Sequence, residues 1–257
     1  MDNFLQIFRE YIHSNYDMSN ELICEKYNHS IRVAILMQML SNKLKLTDEE
    51  YQIAFLIGLV HDLGRFREVE RSQKFNNLSF DHGAYSNKIM FNDGLIESFK
   101  VNPRYYLIIR KALYFHNKKD LTGPMTEEEE LFAKMIRDAD KLDILYIRSL
   151  KKHLLLDSEP TEKVKEDFLH DRSIDLHDMK LKGKADSILL YLSFIKDLYF
   201  DESYELAVIL GFLHDILNII DVKEGYEDLY RELIAKVEER GKKDARIKVR
   251  SLESRGK

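Results

Sequence analysis

The stretch TDEEYQIAFLIGLVHDLG, residues 47–64, restricts what this chain can fold into more than any other. Its centre, IAFLIGLV at 53–60, is apolar without interruption, so it shows neither the alternation of a half-buried strand nor the polar face of a surface helix. A helix that is apolar all round has to be enclosed by other helices. The acidic start at 47–50 suits a helix N-terminus, and Gly64 suits a C-terminal stop.

The rest of the sequence supplies the enclosing helices. Asn20 or Ser19 can cap a helix through ELICEKYNHSIRVAILMQMLSNKL, and Pro103 opens another through RYYLIIRKALYFH. Thr126 with the Glu run at 127–130 starts LFAKMIRDADKLDILYI. After Pro160 come KADSILLYLSFIKDLYF, ESYELAVILGFLHDILNII and a final charged helix. Ten glycines and three prolines in 257 residues are too few for a turn-rich β design, and no useful strand alternation occurs. The expectation is an all-α chain, residues 1–257 as a single domain. A bundle core would cover about 20–150, with additional C-terminal helices over about 160–245.

Charge and cysteine content narrow the setting. A net charge of −5 gives no general attraction to nucleic acid or an anionic membrane, and no apolar run approaches the ~18 residues of a spanning helix. The basic closing stretch KVEERGKKDARIKVRSLESRGK reads as a solvated helix end. The lone Cys24 cannot form an internal disulfide, which fits a cytoplasmic location. A homodimer stays open.

Polar groups on apolar faces mark the chemistry. His29 shares a face with Val33, Leu36 and Leu40; His116 follows the stripe Tyr105, Ile109, Ala112; Asp140 lies with Ala133, Ile136, Ile144 and Ile147. His61 and Asp62 end the apolar helix. Singly, an inward histidine is an ordinary core residue, but a buried carboxylate must be protonated, paired or bound to a cation. Several imidazoles and two carboxylates from separate helices fit a divalent metal centre, provided that they converge.

Two stretches compete for the His-Asp role, GLVHDLGRF at 58–66 and GFLHDILNI at 211–219, each preceded by Tyr, Ala and Gly at matching places. From His61, other candidates stand 32 residues before and 21, 55 and 79 after, at His29, His82, His116 and Asp140. From His214, the offsets of 32 before and 21 after fall on Lys182 and Ala235, and no histidine follows. His214 and Asp215 are therefore expected to be a surface or interface pair, and the shared Tyr, Ala and Gly the texture of two buried helices.

The texts HDLGRF, DHGAYS and RDADKLD, with a histidine closing the apolar helix between the last two, resemble the HD-domain metal-dependent phosphohydrolase superfamily. The resemblance implies a helical fold in which His29, His61, Asp62 and Asp140 bind a divalent ion. His82 and His116 match the further histidines of subfamilies with a two-metal centre, where Asp62 would bridge. One or two ions of Mn, Fe, Co, Ni or Zn, with Mg also admissible, would be the cofactor. If only one ion binds, His82 and His116 become candidates for phosphate binding or for protonating the leaving oxygen.

The implied activity is hydrolysis of a phosphate ester or anhydride of a small molecule, with a nucleotide or dinucleotide the first guess, by attack of metal-bound hydroxide. Arg65 is the candidate for phosphate stabilisation, with Lys118 and Lys119 as further substrate-binding candidates; each has an equally ordinary reading as a solvated or ion-paired side chain. Asp143 and Lys141 are candidates for supporting the ligands. Two other readings stay open: a di-iron oxygenase of the same fold, because iron accepts the same ligands, and a regulatory module that binds a nucleotide without turnover.

Overall fold

The computed structural model of the protein describes residues 2–73, 80–149, 154–155, 161–169, 183–211, 220–221, 231 and 233–241. The order along the chain is α1 (Asp2–Asn15), α2 (Glu21–Lys43), α3 (Asp48–Val60), α4 (Leu63–Ser72), α5 (His82–Asn87), α6 (Leu95–Phe99), α7 (Tyr106–Phe115), α8 (Glu127–Ser149), α9 (Glu162–Leu169), α10 (Lys184–Ser193) and α11 (Asp201–Leu210). One π-helical turn, Lys88–Asn92, extends α5. The fold is all-α; the strands among the described residues are a two-residue parallel pair, Leu154–Leu155 with Ile220–Asp221. Packing groups the chain into two compact units, Met1–Asp140 and Lys141–Lys257, with the division inside α8.

In the first unit, α2 and α3 pack along each other. Every residue from Ile53 to Val60 is buried, as the apolar text requires. The α2 N-terminus is capped by Asn20, whose side chain accepts from the Leu22 and Ile23 amides. Thr47 and Glu50 form a reciprocal capping box on α3. Gly58 makes the α2–α3 crossing close: a Cβ there would stand 2.4 Å from Ala34 Cα. Around this pair, Phe8, Ile12, Phe66, Phe99, Tyr105 and Phe132 complete a core of fully buried side chains.

The expectation for Gly64 is corrected. The apolar helix stops at Val60, two residues form a turn, and Gly64 lies in the first turn of α4. Its φ is not among the positive values that a left-handed cap needs. Its smallness serves close approach instead, because a Cβ at Gly64 would meet the His82 carbonyl oxygen at 2.2 Å.

In the second unit, α9 and α10 pack together around Val164, Phe168, Ala185 and Leu189. Asp186 accepts from the Thr161 amide at 2.7 Å. The later apolar helix ends earlier than its sequence suggests: α11 closes at Leu210 on Gly211, which has a φ of 67°. His214 and Asp215 lie outside the described residues.

Candidate metal centre

Six side chains from separate parts of the first unit meet in two groups of three: His29, His61 and Asp140, and beside them Asp62, His82 and His116. His29 is delivered by the middle of α2, whose apolar stripe turns it inward. His61 and Asp62 occupy the turn between α3 and α4. His82 begins α5, His116 follows the last residue of α7, and Asp140 projects from α8. Five of the six are buried, and Asp140 is the more open side chain at 22% exposure.

The contacts centre on Asp62. Its Oδ2 is 3.5 Å from His29 Nε2 and 3.6 Å from His61 Nε2; its Oδ1 is 3.6 Å from His82 Nε2 and 3.4 Å from His116 Nε2. Asp140 Oδ1 lies 3.2 Å from His29 Nε2 and 3.9 Å from His61 Nε2. Asp62 precedes α4 at the position from which an Asp commonly caps a helix, yet its side chain makes no cap hydrogen bond. It is turned to the histidines instead.

Burial and neighbouring charge set the protonation states. Burial drives the His61 imidazole down to about 4, so the ring is neutral at pH 7. His82 is held well below the usual histidine range, first by burial and then by Arg65. Burial works to raise both carboxyls, but Lys26 and His61 keep Asp62, and His29 keeps Asp140, below the usual carboxylate range. The Asp62 carboxylate therefore faces the neutral rings of His61 and His82.

The tautomers carry the test of whether a cation fits. His61 Nδ1 lies 2.8 Å from the Gly58 carbonyl and His116 Nδ1 lies 2.7 Å from the Leu113 carbonyl. A carbonyl oxygen only accepts, so in both rings Nδ1 carries the proton and Nε2 presents a lone pair. Among the described residues these two buried Nε2 atoms have no hydrogen-bond partner. Lone pairs and carboxylate oxygens pointed at one another repel unless a cation lies between them. The residues thus fit a divalent ion, and the His/Asp donor set suits a transition metal.

Sequence reasoning overlooked several parts of this arrangement. Lys26, one turn before His29 on α2, places its Nζ 2.7 Å from Asp62 Oδ2. The Ser86 hydroxyl lies 2.7 Å from the His61 carbonyl and 2.9 Å from that of His82, and accepts the Gly64 N–H at 2.9 Å. It ties the His-Asp turn to α5. Asn117 Nδ2 donates to Asp81 Oδ1 at 3.2 Å and stands 3.3 Å from His82 Nδ1. Arg137, one turn before Asp140, donates to the carbonyls of Phe115, Lys118 and Lys119, and so fixes the loop behind His116. Spacing offered a signal for Lys26 and Ser86, each at helical distance from a candidate histidine; none exists for Asn117, which is on a loop.

The remaining candidates have mixed placements. Arg65 donates from Nη1 to Glu68 at 2.7 Å, and its Nε is 3.9 Å from Asp62 Oδ1. Lys118 is ion-paired with Asp81 at 2.5 Å, and Lys119 is exposed. Lys141 donates to the Asp197 carbonyl at 2.8 Å and to its carboxylate. Asp143 is buried on α8.

A helical unit with His and Asp side chains converging from several helices defines a class, that of all-α proteins with a candidate metal centre. The model of the HD domain family matches residues 27–172, more than half of the chain. The chain belongs to the HD domain family, whose members are mostly metal-dependent phosphohydrolases. No curated protein and no solved structure matches it. No helix among the described residues is long and apolar enough to cross a membrane.

Proposed function

We propose that the protein is a metal-dependent phosphohydrolase that cleaves a phosphate ester or anhydride of a small molecule, with nucleotides and dinucleotides the first substrates to try. The observation that carries this reading is the division of Asp62, one oxygen towards His29 and His61 and the other towards His82 and His116. A carboxylate so divided suits a bridge between two cations. His29, His61, Asp140 and Asp62 Oδ2 would hold one, and His82, His116 and Asp62 Oδ1 the other.

When bound, divalent ions lower the pKa of water towards about 7 and polarise a phosphoryl oxygen. The chain's own residues do the rest. The Gly58 and Leu113 carbonyls keep the protons of His61 and His116 on Nδ1, which leaves Nε2 for coordination. Asp62 and Asp140 stay ionised, so the site is negative enough to hold dications. Arg65 can offer a guanidinium edge to a phosphoryl oxygen, with Glu68 holding its other side.

The test is phosphate release from nucleotides, dinucleoside polyphosphates and other phosphoesters with Mn, Co, Ni, Fe and Mg, with and without O2. Metal-dependent release that is equal under both atmospheres is expected. Turnover that consumes O2 without releasing phosphate would overturn the reading in favour of an oxygenase. Tight nucleotide binding without turnover would overturn it in favour of a regulatory module.

A further inference from the structure

The centre has a second cation besides Arg65. Lys26 and His29 stand one turn apart on α2 and share a face, so the lysine stem runs towards the site and its ammonium reaches Asp62 Oδ2 at 2.7 Å. Arg65 approaches the other oxygen of the same carboxylate, its Nε 3.9 Å from Oδ1. Both cationic side chains are 17% exposed, so each combines a buried contact with access to solvent. Lys118, in contrast, is spent on Asp81 at the start of α5. Lys26 stands immediately before the first residue matched by the family model.

An ammonium and a divalent cation drawn to one carboxylate oxygen repel each other, and an anionic group placed between them removes the conflict. We propose that Lys26 binds a phosphoryl oxygen of the substrate, opposite Arg65, and that the pair selects a terminal phosphate: a phosphomonoester or the end group of a polyphosphate. Lys26, Arg65 and the ligand side of the site each require a non-bridging oxygen. A terminal phosphate has three; an internal diester has two. Glu68 and the two ligand carboxylates exceed the two basic side chains by a single negative charge, which bound dications more than reverse, and the excess positive charge is left for a phosphate dianion. The inference rests on the phosphohydrolase reading and deepens it by naming the substrate class.

The test uses the Mn-loaded full chain with inorganic phosphate as the probe. Calorimetric binding of phosphate, bound Mn, and KM for a monoester and a diester are measured for wild type, Lys26→Met and Lys26→Arg. Expected for Lys26→Met are unchanged Mn content, at least about tenfold weaker phosphate binding, and a loss of monoester turnover larger than that of diester turnover. Lys26→Arg, which keeps the charge, is expected to recover most of the binding. Wild-type phosphate affinity in Lys26→Met, an equal loss for both ester classes, or a fall in bound Mn would overturn the role of Lys26 and leave the phosphohydrolase reading standing. Wild-type protein that neither binds phosphate nor releases it from any ester would overturn both.

Discussion

The two ligand groups are built differently. His29, His61 and Asp140 come from α2, the end of α3 and α8, two of which are 23 residues long. His82 and His116 come from the edges of a six-residue and a ten-residue helix. His61 and His116 each take their proton position from a carbonyl three residues back. His82 instead has the Asn117 amide 3.3 Å from its Nδ1, a group that can donate to the ring or, turned over, accept from it. Long helices fix the first group in advance. The second depends on a loop held by Arg137, Asp81 and Asn117, and should bind its ion more weakly.

Two glycines allow this difference to be broken from either side. Gly58→Ala would force α3 away from Ala34 and disturb the crossing that joins His29 to His61. A cost of roughly 1–3 kcal/mol or more is expected, read as a fall of several degrees in Tm, together with loss of ion from the first group. Gly64→Ala would press on the His82 carbonyl, and its expected signature is preferential loss of the second ion with a comparable fall in Tm. Equal loss of both ions in both variants would mean that the groups are not separable.

Asn117→Ala probes the second group more gently. A weakening of the second ion by about 10–100-fold is expected in a metal titration, with the first site unchanged. Acid should act on the metal-free protein through His61, whose imidazole is lowered to about 4 when folded, against about 6.5 when free. The unfolded chain binds that proton more readily. Stability from this group is therefore complete above pH ~6.5 and lost as pH falls towards 4, and Tm recorded over that window should drop. A flat profile would mean that the ring is not buried in the neutral form. The smallest effect is expected at the second His-Asp pair: Asp215→Ala should leave bound metal unchanged, and a lost equivalent would restore that pair as a candidate.

Much of this arrangement is legible in the sequence because it depends on periodicity. The continuous apolar text of 53–60 becomes the fully buried α3, and the stripes that direct His29, His116 and Asp140 inward lead to the centre. What periodicity cannot carry is close approach and the aim of long or loop side chains. Gly64 reads as a helix stop but is a space for the His82 backbone. Gly58 and Gly211, alike in their neighbours, diverge because one meets Ala34 and the other turns left-handed. Lysine is ordinarily solvated, so helical spacing sets Lys26 on the face of His29 without telling that its ammonium bends to a carboxylate, and Lys118 gives no sign that it turns to Asp81.

The most direct measurement is metal content after saturation with Mn and removal of excess, made on wild type and on Asp62→Ala that retains its helical circular dichroism. Two ions per chain in wild type and none in Asp62→Ala are expected, because both groups depend on that one carboxylate. Full metal retention in folded Asp62→Ala would contradict the centre described here.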